Sequence, residues 1–182
     1  MEQLDRAIEA LIACYRNGGK LLVCGNGGSA SDSAHIVGEL VKGFLKKRPL
    51  PQDWQRQIGT DKLQLGLPAI DLTAQGAVIA AVVNDLGGEY MFAQQVMAYA
   101  NPGDMLIGIS TSGNSKNVSY AVEVAKKLGM KTIALTGGTG GKLAEMCDIA
   151  IIAPGSCPAD VQECHLPIYH ALCGMLEAHF FG

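Results

Sequence analysis

The chain lacks the features that assign many proteins at a glance. No apolar run approaches the roughly 20 residues a membrane-crossing helix needs. Met1 to Glu9 is acidic and amphipathic, without the apolar stretch of a secretory signal. Neither charge dominates: the net charge is −3 over 182 residues, which gives no electrostatic footprint for nucleic acid or an anionic membrane. The one basic run, Lys46-Lys47-Arg48, is short and reads as a solvated stretch. The six cysteines (Cys14, Cys24, Cys147, Cys157, Cys164 and Cys173) form no C-x-x-C pair. They sit mostly in apolar surroundings and read as free, largely buried thiols of a reducing, cytoplasmic compartment. Nucleotide signatures are missing too. CGNGGSAS is not G-x-G-x-x-G, no acidic residue sits at the needed place on a second strand, and no Gly-Lys-Ser/Thr follows either polar turn.

What is present is enough apolar sequence, 48%, to bury one good core, and one domain is expected. Leu4, Ile8, Leu11, Ile12 and Tyr15 share a helical face, and Asn17-Gly18-Gly19 stops that helix. Lys20 to Cys24 reads as a buried parallel strand, running into a glycine and hydroxyl turn and then a helix through about Lys47. Residues 46 to 68 read as irregular. Pro68 to Thr73 is a weak strand, followed by helices at Ala74 to Val83 and Tyr90 to Ala100. The strand Met105 to Ile109 leads to a helix at Asn117 to Leu128. Then come strands at Lys131 to Leu135 and Ile149 to Ala153 with a short helix at Lys142 to Met146 between them, and a last helix from about Asp160 to Phe181. Strands alternating with helices predict a five-stranded parallel sheet covered on both faces, an αβα sandwich.

Two turns carry the chemistry. After the first strand comes Gly25-Asn26-Gly27-Gly28-Ser29, and after Ile109 comes Ser110-Thr111-Ser112-Gly113-Asn114-Ser115. Each is a strand, polar turn and helix start, where hydroxyls, unpaired backbone N–H groups and the positive end of the helix dipole favour an anion. An ordinary turn with Ser and Asn as caps is the plainer reading of either alone. Two of them at the carboxyl edge of one sheet point to a shared pocket, sized for a monophosphate rather than a nucleotide. His35 and Glu39, four apart on the helix leaving the first turn, lie on one face. The last helix carries Gln162, Glu163, His165 and His170 amid apolar residues. A glutamate facing a histidine across a pocket would supply the base and acid for moving a proton between adjacent carbons.

CGNGGSASDSAHIVGEL, ISTSGNSKNV and ADVQECHLPIYH together resemble the sugar isomerase (SIS) domain family, and within it the phosphoheptose isomerases. The resemblance spans nearly the whole chain. It implies a flavodoxin-like sandwich, usually a homotetramer with sites at subunit interfaces, that interconverts aldose and ketose forms of a sugar phosphate through an enediol. Ser110, Ser112 and Ser115 match the family's phosphate-binding serines, joined by Ser29, with Asn26, Gly27, Gly28 and Thr111 in the same turns. Glu39 and His170 match its catalytic glutamate and histidine. Asn84-Asp85 match an Asn-Asp after the second strand, which places Asp85 among the substrate-binding residues. In some members residues matching His35, Glu39, Gln162 and His170 hold a zinc, so zinc is the cofactor the resemblance implies. Non-catalytic relatives bind a sugar phosphate or a protein partner such as a replication initiator, which is the alternative. The chain departs from the pattern in four places, the first being an N-terminal helix that reads as shorter than the phosphoheptose isomerase pattern. About 50–67 reads as an insertion, Lys42-Gly43-Phe44 stands where the pattern has Gly-Arg-Tyr, and Asp160 is one residue closer to Gln162. On a helix Gln162 and His170 are about 12 Å apart along the axis, so a shared small site needs a kink at Pro167, mutual reach, or two subunits.

Overall fold

A computed structural model describes residues 2–182. Five parallel strands, β1 (Leu21–Cys24), β2 (Ala69–Asp71), β3 (Met105–Ser110), β4 (Lys131–Gly137) and β5 (Ile149–Ala153), form one sheet in the order β2-β1-β3-β4-β5. Cys24 pairs with Gly108, and Ser110 with Thr136. Successive side chains of a strand point to opposite faces, and both faces here are covered. Leu21, Val23, Ile107, Ile109 and Ile133 pack under α1 (Glu2–Arg16), α2 (Gly28–Val41) and α8 (Pro158–Phe181). Leu22, Cys24, Leu106 and Ala134 pack under α5 (Met91–Tyr99), α6 (Lys116–Lys127) and α7 (Gly141–Met146). Burial on both faces is why the strands are near-continuous apolar runs rather than alternating ones.

The order places the switch point between β1 and β3. One connection leaves toward β2 and the other toward β4, which opens a crevice at their carboxyl ends, the usual ligand position in sheets of this order. The glycine turn follows β1 and the serine turn follows β3, so both open into that crevice.

Three expectations need correction. The helix expected to reach Lys47 stops at Val41, with Lys42 extended. Leu45 and Phe44 continue an apolar pattern, but the chain turns there because their backbone N–H groups go to a side chain of α8. The stretch expected to be irregular contains α3 (Gln52–Ile58), closed by Gly59 at φ 80° and pinned at its base by a Pro49–Gln64 bridge. α4 (Gly76–Asp85) follows β2. Arg48, expected in solvent, is 1% exposed and is discussed below. Of the cysteines, Cys14, Cys24 and Cys173 are buried, Cys147 and Cys164 partly so, and Cys157 is exposed. No described helix is long and apolar enough to cross a membrane.

Candidate active site

The anion end is built from the two turns. Gly27, the residue before α2, holds φ 57° and leaves the helix start without a side-chain cap; Ser115 before α6 likewise makes no capping hydrogen bond. Ser29 and Ser110 are buried, and Ser110 Oγ lies 2.9 Å from Ser115 Oγ. Ser112 is exposed and its Oγ accepts from the Asn114 N–H at 3.3 Å. Thr111 is half-buried between them. The turns are tied together by reciprocal amide bonds between Asn26 and Asn117, 2.8 and 3.0 Å. Hydroxyls and helix starts with open N–H groups thus face one crevice, the arrangement that binds a phosphoryl group.

The second cluster lies further along α2. α8 runs alongside it in the same direction: Gln162 meets Gly28, Tyr169 meets Asp32 and His35, and His170 meets His35. A side chain at Gly28 would clash with the Gln162 amide, so glycine there allows that close approach. His35 Nε2 is 3.1 Å from Glu39 Oε1 and 3.4 Å from His170 Nε2. Its Nδ1 is 3.0 Å from the Tyr169 hydroxyl, which reaches Asp32 Oδ1 at 3.3 Å. The ring of Phe44 stands 5.2 Å from that of His170. Behind Asp32 lies fully buried His165, whose Nε2 donates to the Thr136 carbonyl at 3.2 Å. Burial pushes the His165 pKa down, more than the Thr136 carbonyl and Asp32 push it up. Burial pushes Asp32 up against the opposing pull of His165, Tyr169 and His35. Burial likewise lifts the thiols of Cys14 and Cys147 to about 11 and Cys173 to about 12, so none of these three is a nucleophile near neutrality.

Below this cluster is a buried ion pair. Arg48 Nε donates to Glu177 Oε1 at 2.9 Å, and its other nitrogens cap the end of α2 through the Leu40 carbonyl (2.6 Å) and the Glu39 carbonyl (3.0 Å). Glu177 also accepts from the backbone N–H groups of Phe44, Leu45 and Lys46 at 2.7–3.0 Å. Burial raises the Glu177 pKa, but those N–H groups and the guanidinium outweigh it and hold the carboxyl below its usual value. The one carboxylate therefore fixes the segment carrying Phe44 and, through Arg48, the backbone of Glu39.

The structure thus brings His35, Glu39 and His170 together. Gln162 stands with the glycine turn, eight residues and about 12 Å of helix from His170. Asp85 is exposed at the end of α4, where Asn84 donates to it at 2.7 Å. Asp160 is bound to Ser156 at 2.6 Å, at the start of α8. As a metal set, two imidazoles and a carboxylate are donors zinc favours, and the two spacings from His35 Nε2 are near the roughly 3.3 Å edge of a tetrahedron with 2.0–2.1 Å bonds. Among the described residues, however, no three His, Cys, Asp or Glu side chains already stand as a complete metal-holding group. The donor chemistry of His35, Glu39 and His170 fits zinc. The site is open to solvent, the His35 side chain being 41% exposed. A concavity of about 650 Å³ lies elsewhere, lined by Met97, Glu123, Val124, Lys126 and Lys127.

A parallel sandwich with two polar turns at its switch point and an imidazole–carboxylate cluster beside them is the architecture of an α/β domain that binds its ligand at the carboxyl edge of the sheet. The SIS domain family profile matches residues 1–137. The phosphoheptose isomerase of Trichlorobacter lovleyi is 45% identical over 96% of this chain and 81% of its own length. That of Helicobacter pylori is 44% identical over 98% and 85%. The solved phosphoheptose isomerase of Francisella tularensis superposes with a TM-score of 0.84 at 39% identity, covering 97% of this chain and 86% of that one. The chain belongs to the SIS domain family, among the phosphoheptose isomerases.

Asp32, Phe44, Arg48, Asn117, Tyr169 and Glu177 were not singled out by sequence reasoning as site residues. The spacing of Asp32 and His35 on one helix face was a usable signal for the first of them. For Arg48 and Glu177, 129 residues apart, there was none.

Proposed function

We propose that the chain is a sugar-phosphate aldose–ketose isomerase, acting on a heptose phosphate as its phosphoheptose isomerase relatives are named for doing. The observation that carries this is the His35–Glu39–His170 cluster on the same pair of helices as the phosphate turns. Ser29, Ser110, Ser112 and Ser115, with Asn26, Gly27, Gly28 and Thr111 around them, hold the phosphate; Gln162 lies beside the first turn to meet the same end of the substrate. From Ser29 to His35 is six residues, about 9 Å along the helix, a separation suited to a long sugar with phosphate at one end and carbonyl at the other. Glu39 takes the proton from the carbon beside the carbonyl, and His170 moves the proton between the two oxygens of the enediol. Asp85 is the outer substrate contact. A zinc held by His35, Glu39 and His170 would polarise the substrate oxygens when bound; Gln162, expected as a fourth ligand, stands against Gly28 at the first turn instead.

The alternative, a non-catalytic module that binds a sugar phosphate or a protein partner, needs only the serines and leaves the paired His and Glu without a task. Exposed apolar residues support assembly: α4 buries only Val82, while Val78, Val83 and Leu86 are exposed, as are Trp54, Ile58 and Met175. The protein is taken to be a homotetramer of the 19.1 kDa chain, and the free thiols accord with a cytoplasmic location. Incubation with sedoheptulose 7-phosphate should yield the aldose isomer, with hexose and pentose phosphates turned over far more slowly. Tight binding of these phosphates without conversion would favour the binding module, and a monomer in sedimentation would remove the tetramer.

A further inference from the structure

We infer that Asn117 is a positioning residue that latches the glycine turn onto the serine turn and fixes which way round the Asn26 amide is held. The inference rests on the phosphate-site part of the proposed function and concerns how the two halves of that site are joined before anything binds. β1 and β3 are paired as far as Cys24 and Gly108, and from there β3 runs on for two residues along β4, with Ser110 opposite Thr136. Beyond Cys24 the glycine turn therefore has no strand beside it on that side. It consists of Gly25, Asn26, Gly27 and Gly28, so Asn26 is the one residue of the four with a side chain that can tie it down. Glycine loses more backbone freedom on ordering than any other residue, and a ligand that had to order the turn itself would bind more weakly for it. Among the described residues, the only hydrogen bonds between residues 25–31 and 110–118 are the two between Asn26 and Asn117.

The latch also has a direction. Asn117 Oδ1 accepts from the Val118 N–H at 2.9 Å, one of the first N–H groups of α6, which have no partner within the helix. A backbone N–H can only donate, so the Asn117 atom beside it is the oxygen. The Asn26 atom 3.0 Å from that oxygen is then its amide nitrogen, and Asn26 Oδ1 accepts from Asn117 Nδ2 at 2.8 Å. Both lone pairs of Asn117 Oδ1 are used, while each amide nitrogen keeps one hydrogen that no residue takes. Neither amide can turn over without losing its bonds, so the start of α6 sets the orientation of Asn26 across the crevice. An anion meets a glycine turn already docked, with amide N–H donors left over.

The test is phosphate binding and hydrogen exchange in Asn117→Ala. By titration calorimetry, Kd for inorganic phosphate should rise about 3–10-fold, the net worth of roughly one hydrogen bond. KM for sedoheptulose 7-phosphate should rise by a similar factor with kcat within about twofold, because a contact made alike in ground and transition state moves KM alone. In an Asn26→Ala background the same substitution should add nothing to Kd, since the latch is already open. Without ligand, exchange read by mass spectrometry should quicken at Ser29 and Ala30, whose N–H groups bond back to the Asn26 and Gly27 carbonyls at 3.0 Å. β1 and β3 should keep their protection. An unchanged Kd, effects that multiply in the double variant, or a glycine turn exchanging as in the wild type overturns the inference. So does faster exchange throughout β1 and β3, which marks a purely structural role. A wild type that binds phosphate without turnover defeats the isomerase reading and leaves the Kd and exchange results to decide this one. A wild type that binds no phosphate defeats both.

Discussion

The two ends of α2 are built on opposite plans. At its start, donors are left open: uncapped N–H groups at Gly28 and Lys116, and hydroxyls at Ser112 and Ser115 that bond only to near neighbours. At its end almost every polar atom is taken, with Arg48 capping the last carbonyls of α2 and Glu177 holding Arg48 and three backbone N–H groups. On the proposed reading, phosphate anchoring is divided among many separate contacts, whereas proton transfer depends on a few side chains whose backbone is fixed by one buried pair. On that reading a single loss weakens the first arrangement and disables the second.

That contrast can be broken in graded steps. Glu39→Gln removes the base and keeps the volume, so turnover should fall about 10²–10⁴-fold with phosphate binding retained. Metal content must be measured alongside, since Glu39 is also a candidate ligand. Glu177→Ala leaves Arg48 buried without its partner and should cost about 3–5 kcal/mol in denaturant unfolding. The same carboxyl sets an acid limb. Its folded pKa lies below the unfolded one, so its contribution is full above the ordinary glutamate range and disappears as pH falls through the lowered folded value. Glu177→Gln should flatten that acid limb. At the other end, Ser112→Ala should weaken phosphate-ester binding by about 1.5–3 kcal/mol without changing stability, as titration calorimetry would show. The smallest effect is expected of Lys42→Ala. Its ammonium is 3.8 Å from Glu39 but the side chain is 64% exposed, and such a pair is worth about 0–1 kcal/mol.

The same contrast explains what could be read in the sequence. The strands Leu21–Cys24 and Met105–Ser110 were legible because a strand buried on both faces is a plain apolar run, and the anion turns because their chemistry is local to ten residues. The end of α2 was not. Val41, Phe44 and Leu45 prolong a helical pattern, and what stops it is a carboxylate over 130 residues away. Arg48 looked like the last residue of a solvated basic run for the same reason. Tyr169 sits next to His170 in an apolar helix, and only the fold shows its hydroxyl turned to His35 and Asp32. α3 escaped notice because it buries no residue and carries only Trp54 and Ile58 as apolar residues, too few for a helical period to show.

The central claim is that Glu39 abstracts a carbon-bound proton from a sugar phosphate held by the serine turns. It is tested most directly by incubating the enzyme with sedoheptulose 7-phosphate in deuterated water and following the hydrogens beside the carbonyl by proton NMR. The wild type should exchange solvent deuterium into that position, and Glu39→Gln should not, though it binds the same compound. Exchange that persists undiminished in Glu39→Gln, or no exchange by a wild type that binds the sugar phosphate tightly, would contradict it.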